Sequence, residues 1–410
     1  MSRTLFEHLS PDTGAKRMLA LDGGGVRSVL TLGVLKALED ELRRRAGGGS
    51  GFRLSDYYDL IGGSSTGAIV DAGLSLGYGV EPLAETFLAM APEAYGRSAG
   101  DDIHIGARFS PVRLRRALQR IFANRTLGSQ DIKTGLAILA KRVDTGACWL
   151  FTNHPLGAFY DPPEGEQFAN KKYRLVDVLA ASVASPALLN AVSVDVEFDE
   201  KRRSRKKGYF IDANLNPGQQ LFVMALDPGY RFGWYAGPDA LMMTSIGSGL
   251  RRPAIAGAAL EGLAPGLRAM HVTRAMAYDA LMHGVALLQA MSSPRKPWIV
   301  NQELGDQSKA SIAALLDYQR IDVALDTKPK PRHVGDPQPP MTHLERMIGR
   351  ELDPATLQAL ARTDNTREAN LELLYETGVA AGRAYVNASY PDPKFDLTEW
   401  GEAERRTARE

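Results

Sequence analysis

Gly63-Ser64-Ser65-Thr66-Gly67 fits G-x-S-x-G in one register only, with Ser65 at its centre. A serine held between the flanking glycines Gly63 and Gly67 at a sharp strand-to-helix turn has its hydroxyl lifted clear of the sheet, where it can attack an acyl carbonyl. A second run, Asp22-Gly23-Gly24-Gly25-Val26-Arg27, sets consecutive amides ahead of a helix, where free N–H groups and the macrodipole favour negative charge. An oxyanion would be stabilised there. The run is not a dinucleotide fingerprint, because Ser28 stands where G-x-G-x-x-G needs its last glycine and no acidic ribose ligand follows at the usual distance. Arg27 places a cation in a first helical turn, against the dipole, which suits the holding of a phosphate better than helix stability. The histidines His8, His104, His154, His271, His283, His333 and His343 show no metal-ligand spacing, so neither metal nor other cofactor is expected.

Both glycine turns need a strand before them and a helix after, and the sequence supplies these twice. Met18 to Leu21 is an apolar run that breaks at Asp22, and Val26, Leu30, Val34, Leu38 and Leu42 then recur at helical spacing as far as Arg45. Tyr57 to Ile61 reads as the second strand, and the small and apolar residues from Ala68 to Leu76 as the second helix. This repeated order predicts an α/β layer fold with a largely parallel central sheet. Leu136 to Val143 and Ala147 to Thr152 flank Asp144-Thr145-Gly146 as a hairpin, Asp177 to Ala184 reads as a helix, and Leu241 to Ile246 as a further strand. Val192 to Phe198 and Tyr209 to Ile211 read as strands joined by the basic run Lys201 to Lys207, taken as a solvated hairpin tip with a membrane or nucleotide contact as the alternative. Beyond about residue 255 the pattern is mostly helical, as in Arg274 to Met291 and Arg367 to Val386.

Together these motifs resemble the patatin-like phospholipase family, whose members open with a strand, D-G-G-G-x-[RK]-G and a helix, followed by G-x-S-x-G. Here Asp22 and Ser65 stand 43 positions apart. The family's third block, D-G-[GA] followed by N-P, is matched by Asp212-Ala213-Asn214-Leu215-Asn216-Pro217. Ala213 and Ser28 depart from the family glycines, both towards small residues. Ala184-Ser185-Pro186 and Ser245-Ile246-Gly247-Ser248-Gly249 resemble two further blocks. The resemblance implies a patatin-like three-layer catalytic domain over residues 17–250, after an N-terminal extension of residues 1–16, with residues 251–410 as a mostly helical region packing on or extending the core. It also implies lipid acyl hydrolysis through a Ser65–Asp212 dyad and an acyl-enzyme, with the amides of Gly24 and Gly25 as oxyanion hole.

Two rivals are carried forward. One is an α/β-hydrolase triad in which His271 or His283 follows Asp212, and the other is a catalytically silent scaffold binding a nucleotide or a protein. Hydrophobic residues make up 44% and charged residues 24% of the chain, which excludes wholesale disorder, and the net charge of +1 gives no field for a nucleic-acid polymer. Cys148 is the single cysteine and reads as a small hydrophobe in a strand of a protein from a reducing compartment. With no run of about 18 apolar residues and a polar N-terminus, the expectation is a cytoplasmic protein in peripheral contact with membranes. The helical region leaves room for a small-molecule or protein activator, as some bacterial members of the family have, and the oligomeric state is not legible.

Overall fold

The computed structural model describes residues 3–95, 110–163, 168–186, 189–199, 204–213, 216–301, 303, 305–309, 313–326 and 340–397. Its centre is an eight-stranded sheet. The strands are β1 (Lys16–Leu21), β2 (Leu60–Ser64), β3 (Gly135–Arg142), β4 (Cys148–Thr152), β5 (Val192–Asp199), β6 (Ser204–Ile211), β7 (Leu241–Ile246) and β8 (Asp317–Ile321). Hydrogen-bonded neighbours follow the path β5-β6-β3-β2-β1-β7-β8, with β2 and β6 on one edge of β3 and β4 along the other. From β3 to β8 the neighbours are parallel, and β4, β5 and β6 add antiparallel pairs.

Alternating side chains of these strands feed two separate cores, which makes three layers. Leu19, Leu21, Ile61, Ile138 and Ile246 face the helices Ser28–Arg45, Thr66–Ser75, Val80–Tyr95, Pro111–Phe122 and Leu175–Ser182. Met18, Ala20, Leu60, Leu139 and Met243 face the helix Pro217–Leu226 and the end of the helix Pro265–Ala290. The strands can be apolar almost throughout because both faces are covered.

Boundaries differ from the sequence reading in ways that packing explains. Residues 54–57 form a helical turn (Leu54–Tyr57) and β2 begins at Leu60, so the aromatic pair Tyr57-Tyr58 lies in the approach to the strand. The basic run is not all hairpin tip, since Ser204 to Lys207 belong to β6. Arg205 meets Asp195 at 2.9 Å and Lys206 meets Glu197 at 3.0 Å across the ladder, while residues 201–203 fall outside the described residues. The region after residue 255 also contributes β8, an edge strand parallel to β7. Its last long helix, Glu368–Val386, crosses Ser28–Arg45 closely, and a Cβ at Gly378 would lie 2.0 Å from the Leu30 carbonyl oxygen.

The end of the sheet away from Ser65 is pinned by Asp59, whose side chain is fully buried among Arg3 (2.6 Å), His8 (3.1 Å) and Arg17 (3.2 Å). Burial alone would raise this carboxyl, but the His8 hydrogen bond and the two guanidinium charges outweigh it and hold Asp59 down at about 2. The stability this contributes is present in full above the unfolded-state value and is lost as pH falls through about 2. Asp59→Asn is therefore expected to lower stability at pH 7 by about 3 kcal/mol, the scale of breaking a buried pair, and to flatten the acid limb. Denaturant melts of both proteins between pH 7 and pH 2 check this, and parallel curves would refute it.

Candidate active site

Ser65 follows β2 directly and caps the helix Thr66–Ser75 with φ 55° and ψ −132°. A left-handed φ on a residue with a Cβ costs on the order of 1–3 kcal/mol and persists only where the surroundings enforce it. Here β1 enforces it by lying flat against the elbow: a Cβ at Gly67 would come 2.5 Å from the Leu21 carbonyl oxygen, and one at Gly63 would come 2.3 Å from the same atom. The Ser65 amide donates to Ser182 Oγ at 2.8 Å, and Ser182 in turn donates to the Leu139 carbonyl at 2.6 Å. The elbow is thus tied to β3 through the helix Leu175–Ser182.

Strand register brings Asp212 to the same place. Ser64 pairs with Leu139 on β3, so Ser65 comes level with Ala140. Ile211 pairs with Lys141 from the opposite direction, so Asp212 also comes level with Ala140. The two strands share one edge of β3: Val143 N–H donates to Tyr209 on β6, whereas its neighbour Arg142 donates to Ala147 on the β4 side. Successive residues of a strand present their N–H groups to opposite edges, so β2 and β6 meet head to head along the edge that β4 does not occupy. The Asp212 amide donates to the Ala184 carbonyl at 3.0 Å, two residues beyond the serine that holds the Ser65 amide. Asp212 also lies near Tyr95, whose phenol is pushed up first by burial and then by the Asp212 charge. Among the described residues the Ser65 hydroxyl makes no hydrogen bond, to Asp212 or to any histidine; resting enzymes commonly leave such contacts open until substrate binds.

The glycine loop lies against Ser65. A Cβ at Gly23 would sit 2.5 Å from Ser65 Cβ and 3.2 Å from its Oγ, so only glycine lets the loop approach the hydroxyl this closely. The Gly24 amide donates to Thr66 Oγ1 at 3.2 Å, and Thr66 Oγ1 shares a hydrogen bond of 2.6 Å with Ser28 Oγ. The Gly23 carbonyl accepts from Ser248 Oγ at 2.8 Å. Gly25, at φ 61°, is covered by the Thr363 carbonyl, which accepts the Val26 amide at 3.0 Å. Asp22 is gripped by Arg320 of β8 at 2.5 Å, and the same guanidinium holds Asp322 at 2.6 Å and Ser245 Oγ at 2.9 Å. Arg27 is half-buried beside the loop, donates to the Ala361 carbonyl at 3.3 Å, and is pulled down to about 10 by burial. No hydrogen bond links it to Ser65 among the described residues.

The sequence reading missed Ser182, Thr66, Ser248, Arg320 and Tyr95 as neighbours of this site. Ser248 lies in a block already singled out and Ser182 just before another, but Arg320 carried no local signal. Asp71 is a further surprise, for both its carboxyl oxygens are buried without a partner among the described residues and burial pushes it well above the carboxylate range. No group of three or more His, Cys, Asp or Glu among the described residues could hold a metal ion.

Residues 19–215 match the family described as patatin-like phospholipase. The cUMP-AMP-activated phospholipase of Escherichia coli is 31% identical over 142 residues, covering 35% of this chain and 39% of that protein. The cGAMP-activated phospholipase of Vibrio cholerae is 26% identical over 234 residues, covering 53% and 58%. The chain thus spans about half the length of these curated relatives. Among solved structures, human GIVD cytosolic phospholipase A2 in complex with methyl gamma-linolenyl fluorophosphonate overlays 95% of this chain and 60% of its own at 12% identity and a TM-score of 0.46, too distant a likeness to carry an argument.

Proposed function

We propose that this chain, whose residues 19–215 match the patatin-like phospholipase family, hydrolyses acyl esters of phospholipids by means of Ser65 and Asp212. The observation that carries the reading is the head-to-head meeting of β2 and β6, which delivers a strained serine and a carboxylate to one level beside β3. Asp212 takes the Ser65 proton as Oγ attacks the ester carbonyl, and the tetrahedral oxyanion turns towards the Gly25 amide and towards that of Gly24, which exchanges Thr66 Oγ1 for it. Collapse expels the lysolipid alkoxide, which takes the proton back from Asp212 and leaves an acyl-serine. Water, deprotonated by the same carboxylate, then cleaves the acyl-serine to fatty acid and free enzyme.

Arg27 holds the substrate phosphate in this reading, supported by its cationic side chain beside the glycine loop. No helix among the described residues is long and apolar enough to cross a membrane. In this reading the chain meets its lipid by peripheral contact. The names of the relatives support an activator of the cyclic-nucleotide class.

A fluorophosphonate probe, applied with and without cGAMP and cUMP-AMP, is expected to label Ser65 and to leave Ser65→Ala unlabelled. Labelling of neither protein under any of these conditions would favour the silent scaffold. In the same preparation, Arg27→Ala is expected to impair phospholipid turnover more than turnover of a short uncharged ester, and equal losses would make Arg27 structural.

A further inference from the structure

Among the described residues the helix Pro265–Ala290 is anchored in its second half, from Tyr278 onward. Asn216, the N-cap of the helix that follows Asp212, donates to the Leu281 carbonyl at 3.1 Å, and a Cβ at Gly284 would lie 2.5 Å from Asn216 Cβ. Leu281, Tyr278 and Met282 pack with Leu250, which lies just past the C-terminal end of β7. From there the helix runs down the sheet until the Met291 carbonyl meets the Leu315 amide, close to where β8 begins. Its first thirteen residues, Pro265 to Ala277, therefore stand off the same edge of the sheet that carries Ser65 and Asp212, a length of about 20 Å at helical rise. None of these thirteen is buried.

Their composition is unlike that of a solvated arm. Leu267 is 54% exposed, Met270 49%, Val272 44% and Met276 67%. Helical spacing sets Leu267 and Met270 on one side and Val272 and Met276 on nearly the opposite one. A docked protein groove would cover one side, whereas a lipid interface surrounds an element that dips into it. Within the arm, residues 265–277, there are two arginines, Arg268 and Arg274, and no acid. Long cationic side chains beside exposed Leu and Met suit a surface of anionic headgroups over acyl chains.

We propose that residues 265–277 are the element by which this protein docks on an anionic lipid bilayer, dipping Leu267, Met270, Val272 and Met276 below the headgroups and bringing the catalytic edge to its substrate. The assignment rests on the hydrolase reading for its purpose, but docking is measured without turnover. The helix projects from the catalytic edge, so a membrane that receives it lies over the mouth beside Ser65. The basic strand residues Arg205 and Lys206 lie on β6 upstream of Asp212 and meet acids across the ladder, so they are not needed for this contact.

The test is co-sedimentation of full-length protein with vesicles of phosphatidylcholine alone or mixed with phosphatidylglycerol. The wild type is expected to prefer the anionic vesicles, and the double variant Leu267→Glu, Met276→Glu to bind them about tenfold or more weakly. The same variant should keep its melting temperature, its fluorophosphonate labelling of Ser65 and its turnover of a short soluble ester. Wild-type binding by the double variant overturns the proposal. So does a wild-type dimer in analytical ultracentrifugation that the double variant converts to monomer without change in vesicle binding, since the arm would then be a contact between copies. A wild type that sediments with vesicles yet neither labels nor hydrolyses the soluble ester would count against the hydrolase reading and leave the docking element standing.

Discussion

Asp212→Asn is expected to lower phospholipid turnover by about a thousandfold or more with melting unchanged, because in a dyad this carboxylate is the direct proton acceptor of Ser65. The isosteric amide keeps the shape of the side chain and leaves the backbone bond from the Asp212 amide to Ala184 in place. The rival triad needs a histidine at the serine, and the described histidines are spread over the molecule. His8 belongs to the Asp59 cluster at the other end of the sheet, His154 stacks edge-on against Phe232, and His343 accepts the Ala324 amide. His271 stands on the projecting arm and His283 is exposed on the same helix, while His104 and His333 lie outside the described residues. Each of the seven changed to Ala should keep turnover within about tenfold of wild type, a barrier change of about 1.4 kcal/mol. A folded His271→Ala or His283→Ala protein that loses a thousandfold would restore the triad and remove Asp212 from its role as base.

The parts of this site that could be read from the sequence are those whose chemistry is local. Gly63, Ser65 and Gly67 are spelled out because a residue at φ 55° with a carbonyl packed against its neighbours demands small residues at fixed offsets. The repeated order of strand, glycine turn and helix gave the parallel centre of the sheet for the same reason. What was not legible depended on partners distant in the chain. Ser204 to Lys207 read as a loop because four polar residues in a row make no strand pattern; they are strand residues because Asp195 and Glu197 face them across β6 and β5. β8 was missed altogether, since Asp317-Tyr318-Gln319-Arg320-Ile321 alternates nothing recognisable and buries an arginine. That burial becomes intelligible only once Asp22 and Asp322, 298 and 2 positions away, are seen beside it.

Arg320→Met should accordingly be among the most damaging substitutions outside the proposed Ser65–Asp212 pair. The Arg320 side chain is fully buried, and although burial disfavours its cation, the charges of Asp22 and Asp322 outweigh it and hold the guanidinium above its usual range. Its removal leaves two buried carboxylates uncompensated, which costs about 3–5 kcal/mol. Asp322 also accepts the Gly249 and Val323 amides, at 3.1 and 2.8 Å, so the disturbance reaches the loop from which Ser248 holds the Gly23 carbonyl. Adding Asp22→Asn and Asp322→Asn to Arg320→Met removes the stranded charges and should recover most of the lost stability, since an uncharged cluster of similar volume packs about as well. Activity should not return with it. Asp22 starts the glycine loop, and in the proposed mechanism a loop no longer drawn to β8 presents its amides to the oxyanion in the wrong place, a loss of about a hundredfold in kcat with KM little changed. Melting curves and steady-state kinetics on the single and triple variants separate the two effects. A triple variant that regains both stability and kcat would reduce Arg320 to a packing residue, whereas one that regains stability alone makes β8, which lies beyond the residues matched to the family, a positioning element of the oxyanion loop.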